Sequence, residues 1–443
     1  MFSMSRQDFG PNFTFGVATA SYQIEGAADA DGRGSSIWDS FSQTPGNVKN
    51  GDTGATADDH YHRWPSDLDL IRDGGFDAYR FSIAWPRLLP EGTGAVNQKG
   101  IDFYDRLIDG MLERGIKPFL TLYHWDLPST LQDQGGWMNR DIAGWFGEYA
   151  ALCGRHFGDR VTAVATINEP WCVAFLSHYL GVHAPGYRDM RATARAMHHV
   201  LFAHGTGVAA LRAEGVKNIG IVTNLQKIEP ADDTPETAKA LELFDGIHNG
   251  WYLGGIYKGE YPAPVVKHFE RYLPAGFERD MPTVSAPLDW AGVNYYSRTL
   301  VAADPGGAEP FRTVPGDLER TDIGWEIYPR GLTDLLVRVS RDYTKVPIYI
   351  TENGMAEIDG DEDPRRVTYY DDHLKAVLDA RAAGADVRGY FAWSLLDNFE
   401  WAEGYSKRFG LVGVDYETQE RRPRASYRAF QGMLHNSPGI RLD

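Results

Sequence analysis

The sequence predicts an α/β protein, a single (β/α)8 TIM barrel over residues 1–443 with elaborated loops after its strands. Short β-branched or aromatic segments alternate with helical segments eight times, and this rhythm favours a parallel sheet with crossover helices. A length of 443 residues fits one barrel with large loops. The sequence shows no Pro/Ser-rich linker, low-complexity tract or repeat that would divide it into domains.

Eight segments have the composition of strands. They span residues 13–18, 77–83, 117–123, 161–167, 218–223, 289–294, 348–351 and 387–393. The seventh segment has boundary residues typical of a strand at both ends. Pro347 stands at its entry, where a missing amide hydrogen is tolerated, and the turn pair Asn353 and Gly354 follows its end.

The segments between these strands predict helices and two long loops. The helices span residues 61–73, 101–114, 141–157, 191–214, 235–252, 331–343 and 369–383. In residues 101–114 the apolar side chains recur at helical spacing, and Gly115 is a suitable stop. Residues 26–58 and 303–325 are rich in turn-forming residues and are predicted to be loops.

Composition restricts the function. A formal net charge of −17 argues against nucleic acid and against an acidic membrane surface as partners. No segment approaches about 18 consecutive apolar residues, so no membrane span is expected. The first residues lack a signal-peptide pattern, and two cysteines fit a reducing compartment, so the expected location is cytoplasmic. The 12 tryptophans suggest a cleft lined with aromatic faces that suit sugars.

Polar and aromatic side chains follow the predicted strands at their carboxyl ends, where a barrel holds its ligand site. They are Gln23 after the first strand, His124 and Trp125 after the third, Asn168 and Glu169 after the fourth, Asn294 and Tyr296 after the sixth, Glu352 at the end of the seventh, and Trp393, Glu400 and Trp401 after the eighth. Amide, imidazole and carboxylate groups can bind sugar hydroxyls, and tryptophan supplies a stacking face.

Two of these residues are glutamates that can face each other across the barrel mouth. Taken alone, Glu352 is more simply interpreted as a solvated acid at a strand end. Glu169 supplies a partner, and a carboxyl pair flanking an acetal bond is what glycoside hydrolysis requires. One carboxyl must be protonated and the other ionised, so their surroundings must separate their pKa values.

The motifs around these residues resemble those of glycoside hydrolase family 1, the β-glucosidase family. They are residues 13–26 (FTFGVATASYQIEG), 79–87 (YRFSIAWPR), 122–128 (LYHWDLP), 166–170 (TINEP), 350–354 (ITENG) and 397–401 (DNFEW). The similarity runs from about residue 9 to residue 430, in the order of the family. Several long motifs in that order make the resemblance specific.

The resemblance implies roles for single residues. Glu169 would be the general acid/base and Glu352 the nucleophile of a retaining double displacement, with carboxyl groups about 5–5.5 Å apart. Arg80 and Tyr296 match residues that hold the nucleophile and keep it ionised. Asn168 matches the residue that binds the sugar 2-hydroxyl.

The resemblance also implies how the sugar and its leaving group are bound. Gln23, His124, Trp393, Glu400 and Trp401 match the rest of the sugar subsite, Trp325 matches the aromatic floor of the aglycone site, and Trp171, Cys172, Leu176, His178 and Phe409 match the entrance. A 4-hydroxyl of either orientation can be bound by such groups, so the preference for glucose over galactose or fucose stays open.

The expected function is therefore an exo-acting β-glucosidase with β-galactosidase and β-fucosidase side activity. Its partners would be small β-glycosides and short oligosaccharides, as in cellulose degradation, and it would need no cofactor and no metal. One alternative is a 6-phospho-β-glycosidase, although such relatives carry a serine in place of Glu400. A second alternative is a non-catalytic sugar-binding barrel, against which the glutamate pair counts. The oligomeric state is left open.

Three histidines in one predicted helix raise the question of a metal site. The spacings of His198, His199 and His204 do not give the i,i+4 pair that would bind a metal from one helical face. We expect them to lie in the core or on the helix surface.

Overall fold

A computed structural model describes residues 1–358 and 360–435 and contains a closed barrel of eight parallel strands, which confirms the predicted fold class. The strands are β1 (Thr14–Ala18), β2 (Ala78–Ser82), β3 (Lys117–Tyr123), β4 (Ala163–Asn168), β5 (Ile219–Pro230), β6 (Trp290–Ala303), β7 (Ile348–Asn353) and β8 (Val387–Trp393). Each pairs with the next, and β8 pairs with β1 to close the ring. Residue 359 and residues 436–443 of the predicted domain lie outside the described residues.

The main helices return the chain from one strand to the next. They are α1 (His60–Asp73), α2 (Gln98–Glu113), α3 (Ile142–Phe157), α4 (Met190–Ala213), α5 (Pro235–Asp245), α6 (Pro329–Asp342), α7 (Pro364–Ala382) and α8 (Ala425–His435). Every predicted helix is present, but the one predicted over residues 235–252 is interrupted, and α8 was not predicted. Among the described residues, none of the helices is both long and apolar enough to cross a membrane.

Shorter helical segments decorate the loops. They are Arg6–Phe9, Ser21–Ile24, Ile37–Gln43, Lys49–Gly51, Trp85–Leu88, Ser129–Asp133, Gly136–Met138, Cys172–Leu176, Gly246–Gly250, Trp251–Lys258, Ala263–Phe269, Phe277–Asp280, Met281–Val284 and Trp401–Glu403. Two of them, Cys172–Leu176 and Gly246–Gly250, are wide turns with i→i+5 hydrogen bonding, a feature that is frequent at functional sites.

Strands β5 and β6 extend beyond the barrel. Their pairing continues from Gly220 and Trp290 to Pro230 and Val301. The strand Phe311–Val314 adds to β6 in antiparallel orientation, so the predicted loop 303–325 is wrong over this part. A separate hairpin pairs Val412–Val414 with Arg421–Pro423. The added strands are only three or four residues long, and Phe311–Val314 and Arg421–Pro423 contain arginine, so they lack the apolar run from which strands were predicted.

The barrel interior is filled by a few aromatic rings opposite small residues. Phe119 from β3 and Phe391 from β8 have ring centroids 4.9 Å apart. Gly16 of β1 leaves room for this packing, because a Cβ there would lie 2.4 Å from the Phe391 ring. The interior is therefore a packed core, and ligands are confined to the rim.

Buried ion pairs hold the long loop that follows β8. The carboxylate of Asp397 accepts hydrogen bonds from Arg424 Nη1 at 2.8 Å and Nη2 at 2.7 Å. The amide of Gly410 donates to the same carboxylate at 3.0 Å. A bidentate, buried pair of this kind fixes geometry. It restrains the loop that carries Glu400 and Trp401.

The three histidines of α4 have separate partners in the core. His198 pairs with Asp280 at 2.9 Å, His199 Nδ1 lies 3.0 Å from the Trp137 carbonyl, and His204 Nδ1 lies 2.7 Å from Thr166 Oγ1. Within residues 1–358 and 360–435, no group of three or more His, Cys, Asp or Glu side chains could hold a metal ion.

Candidate active site

A cavity of about 460 Å³ opens at the carboxyl ends of the barrel strands. Its lining includes the predicted residues His124, Glu169, Asn294, Tyr296, Trp325, Glu352, Trp393, Glu400 and Trp401. Of the predicted entrance residues, Trp171, Cys172, Leu176 and Phe409 also line it. His178 does not, because it is fully buried with Nδ1 2.8 Å from the Val173 carbonyl. The prediction for His178 was wrong.

The strand ends are irregular where they enter this cavity. The pairing register shifts near Asn168 in β4, near Asn294 in β6 and near Glu352 in β7. Such shifts re-aim side chains that a regular strand would point elsewhere. Glu169 and Trp125 also have left-handed backbone conformations, with φ of 51° and 84°. Backbone strain of this kind concentrates at functional sites.

Glu352 is buried between two strong donors. Arg80 Nη1 lies 2.5 Å from Oε1, and the Tyr296 hydroxyl donates to Oε2 at 2.6 Å. Burial, followed by the charge of Glu352, raises the pKa of Tyr296 well above its usual value, so the phenol keeps its proton. Both oxygens of the Glu352 carboxyl group are therefore held by hydrogen bonds where the side chain lines the cavity.

Arg80 connects Glu352 to a second set of polar side chains. Its Nη2 donates to Asn168 Oδ1 at 2.7 Å, and Asn168 Nδ2 lies 3.1 Å from His124 Nε2. Burial and then the charge of Arg80 lower the pKa of His124 well below its usual value, so this ring is neutral. Nε2 accepts from the amide, and the network assigns the ring proton to Nδ1.

Glu169 has a different environment. Asn294 Nδ2 donates to its Oε1 at 2.6 Å, and the Cys172 thiol donates to its Oε2 at 3.1 Å. Both donors are uncharged. Burial, and then the charge of Glu352, raise the pKa of Glu169 to about 8. At neutral pH Glu169 is thus largely protonated, the state in which a carboxyl group can act as an acid.

Among the buried polar atoms that have no hydrogen-bond partner within the described chain, three belong to residues predicted for the sugar subsite. They are Gln23 Oε1, His124 Nδ1 and Glu400 Oε2. Asn224 Oδ1, on a lining residue that was not predicted, is another such atom. Gln23 is held in place, since its Nε2 donates to Asn398 Oδ1 and to the Phe399 carbonyl at 2.9 Å each. An unpaired buried polar atom costs free energy, which a ligand hydroxyl can recover. The atoms of Gln23, His124 and Glu400 are therefore available to accept or donate a hydrogen bond to a ligand.

Aromatic rings form the walls of the cavity. The Trp125 and Trp401 rings are 4.6 Å apart, and Trp393 stacks on His124 at 5.8 Å with an interplanar angle of 22°. Across the cavity, Trp325 lies 5.2 Å from Tyr296. Flat apolar walls beside hydroxyl-binding groups suit a sugar ring.

Several lining residues were not predicted. They include Val182, His183, Asn224, Gln226, Ser297, Ile323, Ala402 and Glu403. Asn224 carried a signal, because it directly follows the predicted strand 218–223, the same position that revealed the other site residues. Gln226 lies two residues further along the chain. Val182 and His183 lie in a loop, where no strand end marks them.

The arrangement defines a class of protein. A buried pair of glutamates beside aromatic and hydroxyl-binding side chains, at the carboxyl rim of a barrel, is typical of enzymes that hydrolyse glycosidic bonds. The chain is an O-glycosyl hydrolase. More particularly, it belongs to glycosyl hydrolase family 1, whose family model matches residues 5–438.

Individual relatives agree with this assignment. The chain is 49% identical to β-glucosidase A of Thermotoga maritima over 98% of this chain and 99% of the relative. It is also 49% identical to a 1,4-β-D-glucan glucohydrolase of Thermotoga neapolitana, over 97% and 98%. A solved family 1 β-glucosidase from Thermotoga maritima, in complex with isofagomine lactam, superposes with a TM-score of 0.93 at 49% identity, covering 96% of this chain and 98% of that chain. Other complexes of the Thermotoga maritima enzyme contain deoxynojirimycin and galacto-hydroximolactam.

Proposed function

We propose that the chain is a retaining exo-β-glucosidase in which Glu352 is the nucleophile and Glu169 the acid/base. The observation that carries this proposal is the contrast between the two carboxyl groups. Glu352 is bound by Arg80 and Tyr296, whereas Glu169 has only uncharged donors and a raised pKa. The names of the relatives at 49% identity support a β-glucoside as substrate.

In the first step Glu352 attacks the anomeric carbon while Glu169 gives its proton to the glycosidic oxygen. The bond from the anomeric carbon to that oxygen breaks, the aglycone leaves with the proton, and a covalent glycosyl ester forms on Glu352. Arg80 and Tyr296 orient the attacking oxygens, at 2.5 Å and 2.6 Å.

In the second step Glu169 acts as a base. Esterification removes the negative charge of Glu352, which was the second cause of the raised Glu169 pKa. That pKa therefore falls, and the carboxylate takes a proton from a water molecule as the water attacks the anomeric carbon. Glu352 leaves as a carboxylate, and two inversions at one carbon give net retention.

The unpaired polar atoms support an exo-acting sugar subsite. Gln23 Oε1, His124 Nδ1 and Glu400 Oε2 would bind the hydroxyls of one terminal glucosyl residue, with Trp393 and Trp401 beside its apolar face. Asn168 would bind the 2-hydroxyl and Trp325 the aglycone. Because these atoms can bind an axial or an equatorial 4-hydroxyl, we also propose β-galactosidase and β-fucosidase side activity. The galacto-configured ligand of the Thermotoga maritima complex agrees with this.

A 6-phospho-β-glycosidase is less well supported. The two basic residues after Trp401 are already bound, since Lys407 donates to the Asp322 carbonyl and Arg408 pairs with Asp397 at 3.0 Å. A phosphate there would meet Glu400, and neither Lys407 nor Arg408 is free to pair with it. A non-catalytic sugar-binding barrel does not fit a chain of a hydrolase family.

Turnover of aryl glycosides tests the substrate assignment. We expect 4-nitrophenyl β-D-glucoside to be hydrolysed, the galactoside and fucoside to be hydrolysed with lower kcat/KM, and the 6-phosphorylated glucoside to be inert. The measurement is nitrophenol release under matched conditions. Preference for the phosphorylated substrate would replace the β-glucosidase proposal with its alternative.

The Tyr296 hydroxyl provides a graded test of the nucleophile's environment. Tyr296→Phe removes the 2.6 Å donor to Glu352 and leaves the ring in place. A hydrogen bond to a charged group is worth about 1.5–3 kcal/mol, so we expect kcat/KM to fall roughly 10- to 150-fold. Tyr295→Phe is the matched control, because the Tyr295 hydroxyl donates to the Tyr328 carbonyl and not to a reacting group. Equal losses in the two variants would show that the Tyr296 effect is only structural.

The remaining proposals concern the setting of the enzyme. We propose a single barrel domain, since one closed sheet joins strands from Thr14–Ala18 to Val387–Trp393. We propose small β-glycosides and short oligosaccharides as its ligands. A cytoplasmic location is proposed from its two buried free thiols, which suit a reducing compartment.

A further inference from the structure

The acid/base candidate has a second partner that the mechanism above does not use. The Cys172 sulfur lies 3.1 Å from Glu169 Oε2, while Asn294 Nδ2 lies 2.6 Å from Oε1. Cys172 is 5% exposed and lines the cavity. Both oxygens of the Glu169 carboxyl are therefore held, one by an amide and one by a thiol.

The backbone builds this contact. Glu169 leaves β4 in a left-handed conformation, with φ of 51°, and the chain then enters the wide turn Cys172–Leu176. The Val173 amide donates to the Glu169 carbonyl at 3.3 Å, which places positions 169 and 172 on one side of this turn. Residues three apart on a helical turn are neighbours. The left-handed conformation of Glu169 and the turn that follows it thus bring the carboxyl group next to the thiol.

We infer that Cys172 is a positioning residue that holds Glu169 through Oε2, and that Oε2 is the oxygen that carries the transferable proton. The inference rests on the proposed role of Glu169. A thiol is a weak donor, so it fixes the carboxyl group without strongly favouring the ionised form. Asn294 makes a shorter hydrogen bond to Oε1 than Cys172 makes to Oε2. Because Oε1 is the more strongly bound acceptor, Oε2 is the better site for the proton. A hydroxyl in place of the thiol would donate more strongly to the carboxylate. It would therefore lower the pH at which Glu169 loses its proton.

The protonation state of the thiol fits this role. Burial, and then the charge of Glu169, raise the pKa of Cys172 well above its usual value, so its hydrogen stays in place as a donor. Other charged or titratable groups that act on the pair come from separate elements: Glu352 on β7, Arg80 on β2, Tyr296 on β6, Glu400 after β8 and Tyr252 on Trp251–Lys258. All of them are unchanged in variants of Cys172.

The test is the pH profile of kcat/KM. Its alkaline limb, the fall in kcat/KM at high pH, reports the loss of the proton from the acid in the free enzyme. Cys172→Ser should move the midpoint of this limb down by roughly half to one pH unit, and Cys172→Ala should move it up. Cys172→Ala should also slow hydrolysis of cellobiose severalfold and leave 2,4-dinitrophenyl β-glucoside nearly unaffected, because only the poor leaving group needs a well-placed proton. If Cys172 had only a structural role, its replacement would lower the rates for both substrates together. The Ser and Ala variants would then not shift the alkaline limb in opposite directions.

Cys153 is the matched control. It is 1% exposed in α3 and belongs to the outer core, so Cys153→Ser and Cys153→Ala should alter thermal stability and leave the limb in place. The inference is overturned if the limb and the substrate ratio of both Cys172 variants equal those of the wild type. Failure of the proposed function itself would appear separately, as unchanged activity in Glu169→Ala.

Discussion

Glu352→Ala should reduce kcat for 4-nitrophenyl β-D-glucoside by roughly 10⁴-fold or more, because the step that forms the covalent intermediate loses its nucleophile. The variant also opens space next to Arg80 and Tyr296, whose donors then face the cavity unpaired. A small anion such as azide can enter that space and attack the anomeric carbon. We expect azide to restore turnover and to yield the α-glycosyl azide, because the reaction then contains a single inversion.

The control must separate chemistry from folding, since Glu352→Ala breaks a buried ion pair. Glu25 and Arg87 form a comparable pair at 2.8 Å, with both side chains buried. Glu25→Gln should lower the unfolding temperature and retain turnover at temperatures where the protein is folded. Glu352→Gln keeps the shape of the side chain and should stay inactive. Normal activity in either Glu352 variant would show that this residue is not the nucleophile.

Glu169→Ala should have the second largest effect, and its size should depend on the leaving group. General acid catalysis contributes roughly 10²- to 10⁴-fold, so cellobiose hydrolysis should fall by that amount. A dinitrophenyl leaving group needs no proton, so its departure should be nearly normal, and the glycosyl enzyme should then accumulate for want of a base. Azide should release it as the β-glycosyl azide.

The Glu169→Ala variant also tests the pH dependence of activity. The raised pKa of Glu169, about 8, keeps the acid protonated at neutral pH, and activity should be lost as the pH rises through that value. In Glu169→Ala the fall in kcat/KM at alkaline pH, measured with a substrate whose leaving group needs the proton such as cellobiose, should be absent. A limb at the same pH in this variant would assign the titration to another group, such as Glu400, whose pKa burial also raises to about 8.

The positions of the two candidate catalytic glutamates could be predicted from sequence because both stand at strand ends. Glu169 and Glu352 each close an apolar segment, and parallel strands in a barrel bring their carboxyl ends to one rim. The strands themselves were visible because their residues are β-branched and apolar. Asn224 directly follows the predicted strand 218–223 and was overlooked, although it lies within β5 and lines the cavity.

Other features had no local signal. The strand Phe311–Val314 and the hairpin strand Arg421–Pro423 are short and partly charged, and they form only because a neighbouring edge offers hydrogen-bond partners. The left-handed backbone of Glu169 and the register shifts at three strand ends depend on pairing between distant segments. The difference between the two carboxyl groups follows from Arg80 and Asn294, which only the closed barrel brings together.

The central claim is that Glu352 forms the covalent intermediate. The most direct measurement is mass analysis of the protein after reaction with 2-deoxy-2-fluoro-β-D-glucosyl fluoride, whose fluorine slows both steps and whose fluoride speeds only the first. The account predicts one added 2-deoxy-2-fluoroglucosyl group, located on the peptide that contains Glu352 and absent in Glu352→Gln. An adduct on another residue, or steady turnover without any adduct, would contradict it.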